Sequence, residues 1–533
     1  MGPIPVVDLF AGPGGLSEGF ASLRTVADEP AFEVRLSVEK DPAAHETLEL
    51  RSFVRAFRGS PPDAYYDYLI GEIDKEELFS RRQFRTEIER ARHEAWNWTL
   101  AEETHRDTSR RVQDAIGDAD TWVLIGGPPC QAYSMAGRSR MRPVDPRRFE
   151  RDERHFLYRE YLRILADHAP PIFIMENVRG ILSSTVAGRS IFEQILADLS
   201  RPNGSALRYR IVPLCQSSDM CENTPKDYLI RCEQHGIPQA RHRVILCGIR
   251  DDLVGRPSHL RLRARDWFVE HAFADLPALR SRVSGEEDSP KIWLDILREA
   301  CELFERRGGD FPADVQGTMR AALRRARKLS SAGAPFVPYS QPSGRPSEAV
   351  KRLRKWYADP NLPGVTGHSS RRHMRTDLHR YFFAASFAAA HGNVSPRIRD
   401  FPRYLLPDHR NVNASAGETP FDDRFRVQVR EAPSTTVVSH IAKDGHYYIH
   451  YDPAQCRSLT LREAARLQTF PDNYHFEGNR TEQLHQVGNA VPPLLAQQIA
   501  AVIRDFICAR PDVSRAAAPR AESLRVFAAT PTT

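Results

Sequence analysis

Long apolar runs are missing from this sequence, since no stretch approaches the roughly 18 apolar residues that a membrane span requires. The first residues, MGPIPVVDLF, lack the charged and then apolar order of a secretory leader. Cysteine is also scarce: there are 8 in 533 residues, without paired spacing, which argues against a disulfide framework and favours a reducing compartment. We therefore expect a cytoplasmic protein without a membrane segment.

Zinc-binding spacing is missing as well. Three cysteines and a histidine lie close together in the sequence, but their gaps match no finger or ribbon pattern. These residues are Cys215, Cys221, Cys232 and His235. We expect no metal site.

Lysine is rare, so arginine supplies most of the positive charge. Lysine and arginine number 75 against 69 acidic residues, for a net charge of +6, which is too small by itself to indicate a polyanionic partner. Only about eight of the cations are lysine, so nearly all are arginine, the side chain suited to bidentate contacts with phosphate and guanine. A codon bias would give the same composition, so composition alone leaves nucleic-acid binding open.

The first forty residues have the pattern of a βαβ unit. IPVVDLF (4–10) predicts a strand, AGPGGLSEGF (11–20) a glycine-rich turn that opens into a helix, and FEVRLSVEKD (32–41) a second strand. The glycines allow close approach of a ligand, and Glu39 lies where an acid can bind ribose hydroxyls. The spacing is not the strict dinucleotide pattern, so nicotinamide and flavin enzymes are disfavoured.

The rest of the chain predicts a large core with an inserted domain, as expected for this length. Strand and helix signals alternate through residues 1–255 and return at 430–510, which predicts a doubly wound, mostly parallel α/β sheet. Residues 42–120 are charged and helix-prone, and we expect a surface insertion there. Residues 256–429 are rich in arginine and proline and form the expected inserted domain, and 511–533 is expected to be a disordered tail.

Six motifs occur in a fixed order between residues 8 and 500. They are DLFAGPGGLSEGF, GGPPCQAYS, MENVRG, QARHR, RSLTLREAARLQTFPD and QVGNAVPPLLAQQIA. Together they resemble the ordered motifs of the DNA cytosine-5 methyltransferase family, in its prokaryotic, Dcm-like form. The resemblance implies a Rossmann-like, class I core that uses S-adenosyl-L-methionine, with S-adenosyl-L-homocysteine as product, and a smaller target recognition domain at 256–429.

The chemistry of cytosine explains the catalytic candidates. Carbon 5 is a poor nucleophile until another nucleophile adds at carbon 6, and a thiolate does this best. Two prolines stiffen the loop before Cys130, the predicted nucleophile. Glu176 would donate to ring nitrogen 3, and Arg241 and Arg243, alternating on a strand, would reach the base, a phosphate or the glutamate. Arg243 is the favoured base contact, and the base must be flipped out of the duplex.

The resemblance also implies cofactor and DNA contacts. The predicted cofactor-binding residues are Phe10, Ala11, Gly12, Gly14, Gly15, Leu16, Glu39, Glu72, Pro129, Leu157, Asn489 and Val491. Glu72 is the best match to an aspartate that the family usually has near the adenine amino group. The predicted DNA-binding residues are Gln131, Ser134, Gln239, Arg371, Arg372, His373 and Arg375. MRAALRRARK (319–328) is as compatible with a solvated helix face as with DNA contact.

Three other activities remain open at this point. A tRNA cytosine methyltransferase of the same family is disfavoured by the long insert, and a catalytically silent DNA-binding protein by the intact catalytic candidates. A nucleotide-dependent oxidoreductase lacks a second redox partner for Cys130. We expect a monomer that binds double-stranded DNA and marks self DNA in restriction-modification or antiphage defence, with a cognate nuclease as a candidate partner.

Overall fold

A computed structural model describes most of the chain. The described residues are 2–57, 59–129, 153–186, 188–215, 223–263, 267–306, 312–340, 345–406, 422–443 and 445–509. Cys130, Gln131 and Ser134 lie outside the described residues, as does the expected tail at 511–533.

The strands in these ranges are short outside one main sheet. They are β1 Ile4–Leu9, β2 Phe32–Glu39, β3 Ala95–Asn97, β4 Val123–Gly126, β5 Ile172–Val178, β6 Thr185–Val186, β7 Arg189–Ser190, β8 Tyr209–Val212, β9 Leu229–Arg231, β10 Gln239–Ala240, β11 His242–Arg250, β12 Arg282–Val283, β13 Phe336–Pro338, β14 Gly364–Thr366, β15 Arg372–His373, β16 Val427–Gln428, β17 Ser434–Thr435 and β18 Ile449–His450.

The α-helices in the same ranges are distributed through the whole chain. They are α1 Gly15–Ala21, α2 Pro42–Ala56, α3 Asp63–Ile70, α4 Lys75–Ser80, α5 Arg85–Glu94, α6 His105–Ile116, α7 Glu153–His168, α8 Ile191–Ser200, α9 Val269–Phe273, α10 Pro290–Arg306, α11 Ala313–Ala326, α12 Glu348–Tyr357, α13 Arg375–Ala390, α14 Leu461–Leu467, α15 Arg480–Asn489 and α16 Pro493–Cys508.

The main sheet has the order β3-β2-β1-β4-β5-β11-β8, and β9 pairs with β11. The strands from β3 to β5 run parallel, whereas β11 is antiparallel to β5 and to β8. All six residues of β1, IPVVDL, are buried, as expected for a central strand covered on both faces. The predicted doubly wound α/β core is confirmed.

Helices cover both faces of this sheet. On one face, α1 and α16 contribute Phe20 and Leu495 to the core. On the other face, α6, α7 and α8 contribute Val112, Leu165 and Phe192. The carboxyl ends of β1, β2, β4 and β5 therefore open at one edge, which is where ligands bind in open α/β sheets.

The expectation for residues 42–120 was wrong in part. Although α4 and α5 carry many exposed charges, the segment also contains β3, which pairs with β2 and forms an edge of the main sheet. β3 has only three residues, too few to show a strand periodicity in the sequence. The segment is therefore partly an element of the core.

The described residues of 256–429, which we call the second lobe, include a separate apolar core. Trp293 and Phe304 on α10 pack with Met319 on α11 and Phe382 on α13. The same cluster includes Cys456, so packing in this lobe extends beyond residue 429. The domain boundary stays a prediction.

Residues 480–508 have the length and mean hydropathy of a membrane-spanning segment, but 61% of the most apolar window is buried. The segment consists of two helices, α15 and α16, which Ala490 and Pro492 separate. A core helix of a soluble protein passes the same test, so this finding is weak evidence for a membrane span.

Candidate active site

A strained turn follows β1. Phe10 has φ of 58°, and Gly12 and Gly14 have φ of 56° and 88°, a backbone region that favours glycine and costs other residues energy. The Ala11 amide donates to the Val38 carbonyl at 3.1 Å, which fixes the turn against β2. Strain of this kind in a non-glycine residue is typical of ligand-binding sites.

Glu39 closes the same turn from the end of β2. Its Oε2 accepts from the Gly12 amide at 2.8 Å, and its Oε1 accepts from the Asp41 amide at 2.9 Å. Burial raises the pKa of Glu39, but the side chain is only half-buried. Each carboxylate oxygen keeps a lone pair for a further donor such as a hydroxyl.

The last motif packs directly on this turn. A Cβ added at Gly15 would lie 2.2 Å from the Val491 carbonyl oxygen, so only glycine allows this approach. The Tyr474 hydroxyl donates to the Pro13 carbonyl. Asn489 is exposed at the end of α15. Residues from the first and last motifs are therefore adjacent, as the resemblance implied.

The apolar wall beside this turn contains three aromatic side chains. Phe10, Trp96 and Trp98 pack on the cluster that includes Leu157, and Leu16 is buried on the opposite face of the sheet. The Trp96 and Trp98 rings stack at 4.5 Å. Pro129 is half-buried just beyond β4.

The structure does not support Glu72 as the adenine ligand. Glu72 is exposed and follows Gly71, which caps α3, so it does not lie at a strand end. Asn97 ends β3, and its Nδ2 donates to the Glu39 and Lys40 carbonyls at 3.1 and 3.3 Å. Asn97 at the end of β3 and Trp98 immediately after it therefore lie beside the end of β2, and β3 is too short to show a strand periodicity in the sequence.

Two of the predicted catalytic side chains meet at the ends of β4, β5 and β11. Arg243 Nε lies 2.6 Å from Glu176 Oε1, and the two side chains are 11% and 13% exposed. A Cβ added at Gly127 would lie 3.0 Å from Glu176 Oε2. Gly127, the second residue of the GGPP sequence before Cys130, therefore lies beside Glu176.

Arg241 and Gln239 do not join the Glu176–Arg243 pair. Arg241 is fully buried and donates to the carbonyls of Val437 and Gly488 at 2.8 and 3.1 Å. Burial lowers its pKa to about 9. The predicted alternation with Arg243 fails because Arg241 lies in the break between β10 and β11. Gln239 is also buried, and its side chain bonds to Leu467, Gln468 and Val437, so its predicted DNA contact is not supported.

The basic segment at 371–375 is only partly exposed. Arg371 donates to the Lys443 carbonyl at 2.9 Å, and Arg375 Nη1 lies 2.7 Å from both Glu299 oxygens. His373 is buried, and its Nε2 lies 3.1 Å from the Ser458 hydroxyl, so the predicted DNA contact of His373 is wrong for this conformation. Arg372 is exposed.

A buried acid under the turn was not singled out from the sequence. Asp8 on β1 is fully buried beside Ser37 of β2, and burial raises its pKa to about 8. The DLF motif contains this residue, but nothing in the sequence shows its burial.

Among the described residues, no group of three or more histidine, cysteine, aspartate or glutamate side chains could hold a metal. Cys232 is buried in the core, and burial raises its pKa to about 12. The His235 ring lies 3.1 Å from the Arg261 carbonyl.

The sequence is similar to those of known proteins over most of its length. The family model for C-5 cytosine-specific DNA methylase matches residues 81–267 and 368–505. Type II methyltransferase M.Bpa9945I of Bacillus paralicheniformis is 30% identical over 94% of this chain and 99% of its own length. Type II methyltransferase M.AgeI of Thalassovita gelatinovora is 25% identical over 93% of this chain and 98% of its own length.

A third relative is DNA (cytosine-5-)-methyltransferase M.ApeKI of Aeropyrum pernix, which is 27% identical over 75% of this chain and 85% of its own length. The matched family ranges include Glu176 and Arg243, and the gap between the ranges falls within the second lobe. The chain belongs to the C-5 cytosine-specific DNA methylase family.

Proposed function

We propose that this protein transfers a methyl group from S-adenosyl-L-methionine to carbon 5 of a cytosine that is flipped out of a specific double-stranded DNA site. The observation that supports this most is the pairing of Glu176 and Arg243, whose Oε1 and Nε lie 2.6 Å apart, beside Gly127, where an added Cβ would lie 3.0 Å from Glu176 Oε2. This group lies at the same sheet edge as the glycine-rich turn, so a base and a methyl donor can meet there.

Each residue has a defined part in the proposed reaction. The thiolate of Cys130 adds to carbon 6 of the ring and forms a covalent adduct. Glu176 donates to ring nitrogen 3, where negative charge develops. Arg243 holds Glu176 and reaches the base oxygen. Carbon 5 of this adduct would then take the methyl group from the cofactor, with S-adenosyl-L-homocysteine as the leaving group. Loss of the carbon 5 proton and elimination of the thiolate from carbon 6 would release the cysteine.

The cofactor site is proposed from the turn and its neighbours. When bound, S-adenosylmethionine supplies an electrophilic methyl group. Phe10 would pack on the adenine, the Gly12–Gly15 backbone would accommodate the methionine part, and Glu39 would accept from the ribose hydroxyls. The half-buried carboxylate of Glu39 and the close contact between Gly15 and Val491 fit such a ligand. Asn97 replaces Glu72 as the candidate near the adenine amino group.

We propose that methylation marks self DNA in restriction-modification or antiphage defence. Two of the relatives are named type II methyltransferases. We further propose that the protein acts as a monomer, with Arg372 and Arg375 as the two exposed residues among the four predicted DNA contacts at 371–375. A cognate nuclease remains a candidate partner in the same pathway.

Base-resolution mapping of 5-methylcytosine tests this proposal. The DNA comes from a methylation-free host that expresses the protein, beside a host that expresses Cys130→Ala. We expect one methylated sequence motif with the wild-type protein and none with Cys130→Ala. Methylation of matched RNA transcripts but not of duplex DNA, or unchanged methylation by Cys130→Ala, would contradict the proposal.

A further inference from the structure

The segment that the sequence indicated as a surface insertion contacts the second lobe. Residues of α2, α3 and α5 form an apolar cluster that includes Phe53, Tyr65 and Ile88. The second lobe contributes Leu362, which is 1% exposed, and Phe336 packs against the same cluster. Helices α2, α3 and α5 together therefore pack against both the main sheet and the second lobe. We call these three helices the brace.

A single carboxylate oxygen connects this brace with the second lobe. Asp359 follows α12, and its Oδ2 accepts from the Tyr66 hydroxyl of α3 at 2.9 Å. The same oxygen accepts from Asn473 Nδ2 at 2.7 Å. Asp359 thus joins the second lobe to α3 and to the loop after α14.

Asn473 extends this network to the glycine-rich turn after β1, residues 10–15, which we call the cofactor turn. Its Oδ1 accepts from Arg51 Nη1 at 3.2 Å, and its carbonyl accepts from the Tyr65 hydroxyl at 2.6 Å. Arg51 pairs with Glu18 of α1, with Nη2 at 2.5 Å and Nε at 2.8 Å from the two carboxylate oxygens.

The Glu18–Arg51 pair is nearly buried, at 5% and 10% exposure. Burial alone would raise the pKa of Glu18, but the Arg51 guanidinium lowers it, so the pair is charged at neutral pH. Tyr474, the residue after Asn473, donates to the Pro13 carbonyl inside the turn. Hydrogen bonds and one ion pair therefore connect the cofactor turn with the second lobe without a gap.

We propose that Asp359 and Asn473 are positioning residues that couple the cofactor turn to the second lobe, so that bound cofactor and bound DNA each strengthen the binding of the other. The inference rests on the proposed function, because it takes DNA as the ligand of the second lobe. Coupling of this kind is reciprocal, and a contiguous network becomes a mechanism only when the coupling itself is measured.

The test is a binding cycle with the full-length protein. The dissociation constant of a duplex that contains the mapped site is measured with and without saturating S-adenosylhomocysteine, and the ratio is the coupling factor. For the wild type we expect a factor of at least about 5, the lower end of typical couplings. For Asp359→Ala we expect the factor to fall toward 1, while the protein still binds each ligand alone.

Two conservative variants separate coupling from general destabilisation. Asp359→Asn keeps an oxygen that accepts from Tyr66 and Asn473, so it should retain the wild-type factor. Tyr66→Phe removes one hydroxyl that bonds to Asp359 and should lower the factor. Tyr68→Phe is the matched control, because the Tyr68 hydroxyl on the same helix bonds instead to Glu477.

Three results would overturn the inference. They are a wild-type factor of 1, a wild-type factor retained by both Asp359→Ala and Tyr66→Phe, and an equal loss of coupling in Tyr66→Phe and Tyr68→Phe. Failure of the proposed function is distinguishable, because the mapping experiment would then show no methylated DNA motif with the wild-type protein.

Discussion

Two charged regions of this molecule differ in what their charged side chains contact. At the ends of β5 and β11, Glu176 and Arg243 face each other at 2.6 Å in a cleft. In the segment 371–375, Arg371 and Arg375 bond to other protein groups and His373 is buried. Strand ends therefore indicate where functional charges lie, whereas a dense run of basic residues does not show which of them are accessible.

The same contrast separates Arg241 from Arg243, and we expect the two substitutions to have different effects. Arg243→Met should lower the single-turnover rate of methyl transfer by about 10²- to 10³-fold, the usual cost of a lost electrostatic contact in a site. Arg241→Met should instead lower stability by about 1–3 kcal/mol, because it leaves two buried carbonyls without donors. Single-turnover assays and thermal melting of both variants check this, and a rate loss confined to Arg241→Met would reverse the assignment.

Gly15 tests whether the turn and the last motif must touch. In Gly15→Ala the new Cβ would lie 2.2 Å from the Val491 carbonyl oxygen, so we expect a loss of about 1–3 kcal/mol in stability and weaker cofactor binding. The matched control is Gly317→Ala in α11, where nothing lies within 4 Å, and it should gain about 0.5–1 kcal/mol. Calorimetric titration of the cofactor and melting curves measure both effects, and equal behaviour of the two variants would contradict the account.

Asp8 is a third case, because its burial in the fold favours the uncharged carboxyl group. Burial raises its pKa from 3.8 to about 8, so between these values the folded protein binds more protons at Asp8 than the unfolded chain does. The resulting contribution to stability is complete below pH 3.8 and is lost as the pH rises through about 8. Asp8→Asn should flatten this dependence, which denaturant unfolding at several pH values measures. An unchanged pH dependence would show that Asp8 is ionised in the fold.

The smallest predicted effect concerns the basic segment. Arg372→Ala should weaken DNA binding equally for all sequences and reduce the slope of log K against log salt by about 1, as for one phosphate contact. Arg375→Ala should change the slope less, because Arg375 is paired with Glu299. Salt titrations of both variants measure this, and a larger effect from Arg375→Ala would show that its ion pair opens on DNA.

The features that could be predicted from the sequence are those that the local pattern within one motif determines. The glycine-rich turn, the acid at the end of β2 and the strand that carries Glu176 lie where the periodicity and the glycines indicated. The predictions for Arg241, Gln239 and His373 failed because each side chain bonds to residues far away in the chain, such as Val437, which no local pattern shows.

Two further features depended on tertiary packing. β3 has three residues, so its place in the sheet and the position of Asn97 were not readable from the sequence, and Glu72 was chosen instead. The brace formed by α2, α3 and α5 appeared in the sequence only as a charged helical region, because the aromatic side chains that cluster with Leu362 are interspersed with solvated charges.

The most direct test of the account is the single-turnover rate of labelled methyl transfer to a duplex with the mapped site, for Glu176→Gln beside Glu233→Gln. Glu233 forms a similar pair with His242 at 2.9 Å, but outside the Glu176–Arg243 cleft. We predict a loss of about 10²- to 10⁴-fold for Glu176→Gln, the usual share of a positioned acid, and a wild-type rate for Glu233→Gln. A wild-type rate for Glu176→Gln would show that Glu176 does not donate to the base.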